Sequence, residues 1–494
     1  MSAETSQLPL EQRFTAHQGA FANRASTMFP ALITPTADTI VVFMNYWKIK
    51  NGIDNVACFV RLYESSSRLV SRQSLAVTDD HNEISLGKLL GTDSFEGLAE
   101  IEVIADRNFA FAFPAVVAFY RSGDAYSAVH SVGRVRNSDE PRAPARSTET
   151  NWTCKFSAET TPFVTLFNGP RAGALGDVVI GVHDRYGRRV AERSADFGLT
   201  APFASKILKL DEVFDVRQFD NDHFFSVNLP DDDFFPRLVV GNFHRDIDFV
   251  EATHSFYWSR LGGDVVQPPE ADLLSFIPAP NVPELDLELV FFPTNAASTV
   301  TATVREQRAG GSLGETGEQK TWVTGGPGAE LWRYQVKPEA QLISFDFRNQ
   351  QLPARLNTSY RYSVRGSNRR FCTDIATGAH AHVYPPKHSH WGHGLISSDY
   401  ETVVMIRNIA HHTAQARDAT ATLSVYDGTG AVQTRKISVA SESATAVYLG
   451  DMIKPGEGMK TISWFLKAAE NHSDLEAYWI SFAPHGGICG EHAF

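Results

Sequence analysis

Cysteine is scarce: four in 494 residues, at Cys58, Cys154, Cys372 and Cys489, with no CxxC pair among them. That excludes a disulfide framework, and it points to a reducing compartment such as the cytoplasm. Long apolar runs are absent too. No stretch reaches ~18 apolar residues, so no membrane span is expected. The opening "MSAETSQLPLEQRFTAHQGAF" has neither the basic start nor the apolar stretch of a signal peptide. Positive charge is in deficit, with a net charge of −12. Nonspecific nucleic-acid binding needs clustered Lys and Arg and is excluded as a class. Nucleotide and hydrolase signatures are missing: the glycines of "GGSLGETGEQ" and "VTGGPGAE" fit no phosphate-binding spacing, and there is no GxSxG. Helical periodicity is scarce throughout.

What the sequence has is phenylalanine, 33 in all, within short alternating runs rich in Val, Thr and Tyr and broken by Gly, Pro, Asn and Asp. This is the pattern of an all-β chain. At ~100–200 residues per domain, the length allows three to five domains. The runs repeat. "TIVVFMNYW", "TPFVTLFNG", "LELVFFPTN" and "ETVVMIRNI" each carry an asparagine, at Asn45, Asn168, Asn295 and Asn408, spaced 123, 127 and 113 residues apart. The last strand of each copy reads "SAVHSV", "EATHSF", "TGAHAH" and "CGEHAF". It holds His130, His254, His380 and His492, spaced 124, 126 and 112 residues apart. Two independent markers give one period, and both shorten in the final copy.

The period predicts four tandem β-sandwich repeats of about six to eight strands each. Propeller blades would be shorter, about 40–50 residues. The repeats span 31–137, 150–262, 280–384 and 396–494, after an N-terminal segment 1–30. Polar, proline-containing stretches between them read as linkers.

The order of features resembles the sensory rhodopsin transducer family. A strand ends in Asn ("VVMIRN"), an alternating strand enters an Asp-Gly turn ("LSVYDGTG"), and a strand meets an acidic turn ("VYLGDM"). A closing strand pair follows ("VVAFYRSGDAYSAVHS"). The resemblance implies small cytoplasmic sandwiches that associate as tetramers, with signalling partners, carbohydrate binding and no catalysis. This chain would then be such a tetramer fused into one polypeptide, closed into a pseudo-fourfold ring. Separate beads on a string are the alternative.

The repeated histidines have two readings. One is a structural aromatic whose nitrogen bonds a backbone group. In the other, the four line a shared axis or repeated pockets. The third copy adds His382, His388, His390 and His393 to His380 within "TGAHAHVYPPKHSHWGHG". Neutral imidazoles suit Zn, Cu or Fe, and HxH spacing puts two side chains on one face of a strand. "YPP", however, reads as an extended linker in which histidines are solvated.

The acids of "QFDNDHFFSVNLPDDDFFP" fit no calcium loop and read as a hairpin. Cys372 and Cys489, ahead of the last-strand histidines, read as buried thiols. Trp152, Trp258, Trp391 and Trp479 lie near repeat boundaries, where they either stack on sugars or pack between repeats. The leading expectation is a non-enzymatic binding or scaffolding protein of tandem sandwiches, with protein or carbohydrate ligands in loops or grooves between repeats and no resident cofactor. The alternatives are a metal-dependent enzyme using the five histidines of the third copy, and a self-assembling structural protein that pairs sandwich edges.

Overall fold

The computed structural model is built from strands in antiparallel sheets. Among its described residues the α-helices are two short ones, Tyr46–Asn51 and Leu86–Leu90. The structure describes residues 23–107, 109, 114–130, 133–135, 147–150, 159–173, 177–229, 234–235, 238–254, 256–258, 265–266, 274–278, 282–293, 299–308, 320–325, 328–346, 352–353, 355–368, 371–380, 388–408, 417–430, 432–456, 458–469 and 475–494. No helix among them is long and apolar enough to cross a membrane.

One strand order recurs four times. In the first module the strands are Arg24–Ile33, Ala37–Met44, Val56–Glu64, Leu69–Ala76, His81–Ser85, Phe95–Ala105, Val117–Ser122 and Ala125–His130. The first, sixth, third and fourth form one sheet, and the fifth, second, seventh and eighth form the other. The same two orders hold for eight main strands from Ser147–Thr150 to Phe249–His254, from Leu274–Pro278 to Thr373–His380, and from Ser389–Ile396 to Ile488–His492. In the second module a ninth strand, Phe256–Trp258, extends the first sheet. The chain groups into two compact units. Met1–Val182 with Val190–Arg260 holds the first two modules; His183–Arg189 with Leu261–Phe494 holds the last two.

Within the first unit, the second module buries Val164, Leu166, Leu208 and Val240 of one sheet against Val178, Ile180, Phe225 and Val227 of the other. Met28, Tyr63 and Leu98 of the first module join this cluster, so the two modules share apolar packing as well as chain.

The repeated asparagine has a structural explanation. The loop from the fourth to the fifth strand leaves one sheet and enters the other, so its carbonyls lack ladder partners. A buried Asn at the end of the second strand supplies donors to them. Asn45 Nδ2 donates to Val77 O at 3.2 Å. Asn168 Nδ2 donates to Ala201 O at 3.0 Å and, across another loop, to Gly173 O at 2.9 Å. Asn408 Nδ2 donates to Val439 O at 3.1 Å and, across another loop, to Arg417 O at 2.7 Å. All three are buried. Asn295 lies outside the described residues.

The structure adds a strand ahead of each expected repeat. Arg24–Ile33 begins in what reads as an N-terminal segment, and Ser147–Thr150, Leu274–Pro278 and Ser389–Ile396 lie wholly or mostly in what reads as linker. The reason is position. The first strand is an edge strand of its sheet in modules one, three and four. Edges tolerate the prolines and glycines that look like linker composition, here Pro30, Pro278, Gly392 and Gly394.

Replacing Asn408 with Ala leaves the buried Val439 carbonyl and two part-buried ones, of Arg417 and Ala440, without this donor and is expected to destabilise its module by about 1–3 kcal/mol. Asn408→Asp is expected to cost more, since it sets a carboxylate against carbonyl oxygens. Chemical denaturation checks both; equal stability of all three proteins would remove the staple.

Candidate ligand sites

Each repeated histidine is the final residue of its module's eighth strand: His130, His254, His380 and His492. In the first unit the eighth strands of the two modules lie against each other. Ser127 locks them together: its hydroxyl donates to Val250 O and accepts from Ala252 N at 3.3 Å. Ser122 Oγ also donates to Ile247 O. This packing brings His130 and His254 side by side, both buried, with ring centroids 4.4 Å apart and planes at 68°.

In the second unit the corresponding strands are tied by Thr373 Oγ1, which donates to Gly490 O at 3.2 Å. His492 there is partly exposed, and its Nδ1 donates to Ala493 O at 3.0 Å. Buried Glu491 accepts from the His492 backbone N–H at 3.0 Å. His380 pairs with Arg355 in the ladder, and nothing further is described of its side chain.

The histidines added by the third copy do not assemble into one cluster among the described residues. His382 lies outside them. His388 is exposed just ahead of Ser389–Ile396. His390 and His393 belong to that strand and are buried, which corrects the reading of solvated linker positions. Three residues apart, they face opposite sides of the strand. His390 Nε2 donates to Leu475 O at 2.5 Å, and His393 Nδ1 hydrogen-bonds Ser463 Oγ at 2.9 Å. The glycines between and after them are packing positions. A Cβ on Gly392 would sit 2.6 Å from Trp464 Cζ2 and 2.8 Å from Trp479 Cδ1. A Cβ on Gly394 would meet Thr402 Oγ1 at 2.6 Å. The stretch is largely the edge of the fourth module's core.

The remaining candidates divide similarly. Cys58, Cys372 and Cys489 are buried thiols; burial pushes Cys58 up to about 12 and raises Cys489 as well. Neither is poised as a nucleophile. Trp391 and Trp479 are core residues and not exposed platforms. Trp152 and Cys154 lie outside the described residues, as do Asp231, Asp232 and Asp233. Asp220 Oδ1 bonds His223 Nδ1 at 2.7 Å and caps a turn by accepting from Asp222 N at 2.9 Å.

A cleft absent from the sequence reading opens between the first and second modules. It has a volume of about 350 Å³ and is lined by Ser65, Ser66, Glu96, Phe197, Thr200 and Lys206, among others. Its geometry is set by two fastenings. Ser205 N donates to Ser65 O at 3.1 Å, and Tyr63 stacks on Phe203 at 4.6 Å. Lys206 is held by Glu212 at 2.9 Å. Hydroxyls, a carboxylate, an ammonium and one aromatic ring therefore converge on one hollow. The lining comes from segments some 130 residues apart in sequence, so no local motif marks it.

No family model matches this chain, and no curated protein matches it.

Gly392→Ala distinguishes a core edge from a linker. A linker would tolerate it, whereas overpacking against two tryptophans is expected to destabilise the fourth module by about 1–3 kcal/mol. A lowered thermal midpoint in calorimetry is the expected result, with Gly456→Ala, where a Cβ meets no atom closer than 3.8 Å, as the control.

Proposed function

We propose that the chain is a non-enzymatic binding or scaffolding protein of four tandem β-sandwich repeats, with its ligand held in the cleft between the first two. The observation that carries this is the cleft itself. Its volume lies at the lower end of small-molecule sites, and its lining suits a small carbohydrate: hydroxyl and charged groups for the sugar's hydroxyls, and Phe197 for the face of its ring. Common descent of the repeats, from a single sandwich like those of the sensory rhodopsin transducer family, is supported by the shared strand order. The shared asparagine staple and histidine position point the same way.

On this reading the chain works in a reducing cytoplasm, where its buried thiols stay reduced. Its acidic charge turns nucleic acid away. The alternative of an enzyme built on the third copy's histidines is opposed by His390 and His393, which are buried in the fourth module and hydrogen-bonded to Leu475 O and Ser463 Oγ. Self-assembly through sheet edges is opposed by the cations on the exposed fourth strands: Arg72 on Leu69–Ala76, Arg193 on Arg189–Ala195, and Arg435 with Lys436 on Val432–Val439. Such charges block strand addition.

Calorimetric titration with a panel of mono- and disaccharides is expected to find a ligand, with binding lost in Ser66→Trp and weakened in Phe197→Ala. A panel without binders, or a Ser66→Trp protein that binds as well as the wild type, overturns the cleft assignment. The closed pseudo-fourfold arrangement is carried into this proposal from the sequence period alone. Small-angle scattering tests it: the expected radius of gyration is about 23 Å, that of a compact body of this length, and a much larger value means a string.

A further inference from the structure

We infer that His130 and His254 together bind a divalent transition-metal ion, one per chain. The inference goes beyond the carbohydrate reading and does not rest on it.

The two residues come from different modules, 124 positions apart. Each is the last residue of an eighth strand, and the bonds of Ser127 to Val250 and Ala252 hold those strands in register. Both backbones are therefore fixed before any ligand arrives, which is what a preorganised site requires. Both rings are buried, and their ligand nitrogens lie within 4.8 Å of each other. Two imidazoles on one tetrahedral zinc, at about 2.0–2.1 Å each, hold their nitrogens about 3.3 Å apart. The imidazole χ2 torsion is broad, so a modest turn of either ring closes that gap.

The donor atoms decide the chemistry. Two adjacent buried imidazoles offer nitrogen and no oxygen to a ligand. As nitrogen donors they suit Zn²⁺, Co²⁺, Ni²⁺ or Cu²⁺ and not Ca²⁺ or Mg²⁺, which demand oxygen. Water or further donors fill the other coordination positions. A purely structural pair would make the same edge-to-face packing and take up no ion, so the two readings separate by measurement.

The test uses tag-free full-length protein stripped with chelator. Co²⁺ is titrated by visible absorption and Zn²⁺ by calorimetry. One equivalent is expected, with affinity falling as pH drops, since protons compete with the metal for its ligand nitrogens. His130→Phe and His254→Phe keep an aromatic ring in place and remove the ligand nitrogens. Each is expected to weaken binding more than about 100-fold, since even an outer partner of a metal-bound histidine is worth about 10–100-fold. His388→Ala, at an exposed position, is expected to change nothing. Should the Phe variants misfold, X-ray absorption of the Zn-loaded wild type decides: imidazole scatterers support the site. Wild-type protein that takes up no metal, an all-oxygen zinc shell, or folded Phe variants with wild-type affinity overturns it.

Discussion

Each module depends on one problem being solved: a loop must carry the chain from the edge of one sheet to the edge of the other without leaving its carbonyls bare. Sheets satisfy backbone groups only along their ladders, and a buried polar group without a partner costs more than a made bond returns. In the first, second and fourth modules the asparagine at the end of the second strand meets that need. Its primary amide offers two donors on a short, stiff stem, enough to hold loop carbonyls and to fix the distance between the sheets. Asp38 does related work at the other end of the second strand in the first module, accepting from Ser85 Oγ at 2.6 Å and Gly87 N at 3.0 Å. Glu401 does so in the fourth, accepting from Gly450 N at 2.9 Å. With both ends of the second strand anchored, the eighth strand closes the sheet and carries its histidine to the module's boundary.

That boundary is where chemistry becomes available. Inside a module the polar side chains are absorbed: the asparagines by loops, and His390 and His393 by Leu475 and Ser463. Between the first two modules the outcome differs. There, hydroxyls and charges line a hollow, and two buried imidazoles from different modules meet edge to face. A largely covered ion network on the first module, Arg24 and Arg61 with Glu100 and Glu102, lies on the same sheet face as Met28, Tyr63 and Leu98, which pack against the second module. Pairing and hydrogen bonding are what make such burial tolerable.

Much of the fold was legible in the sequence because its strongest signals are local and repeated. Alternation in runs such as "TATLSVY" marks a half-buried strand, and the markers ending in Asn and His recur at one period. The edge strands were not legible. "RASTMFPALI" and "SHWGHGLI" carry proline or glycine and do not alternate cleanly, because an edge is excused from half its hydrogen bonds and can lie close against a neighbouring tryptophan. The histidine stretch after the third copy misled for the same reason. Its composition is that of a linker and a metal cluster at once, while Gly392 and Gly394 are there to admit Trp464, Trp479 and Thr402.

By itself, then, the sequence determined the all-β class, the period, and the repeated positions of Asn45, Asn168, Asn408 and the four last-strand histidines. Short-range periodicity and self-similarity need no knowledge of distance. Only the tertiary structure decided what those positions do. That Asn408 grips Val439, that His390 is buried, that Ser65 faces Ser205, and that His130 meets His254 are contacts between residues about 30 to 140 positions apart. They are set by how sheets stack and modules pack, and no local pattern encodes them.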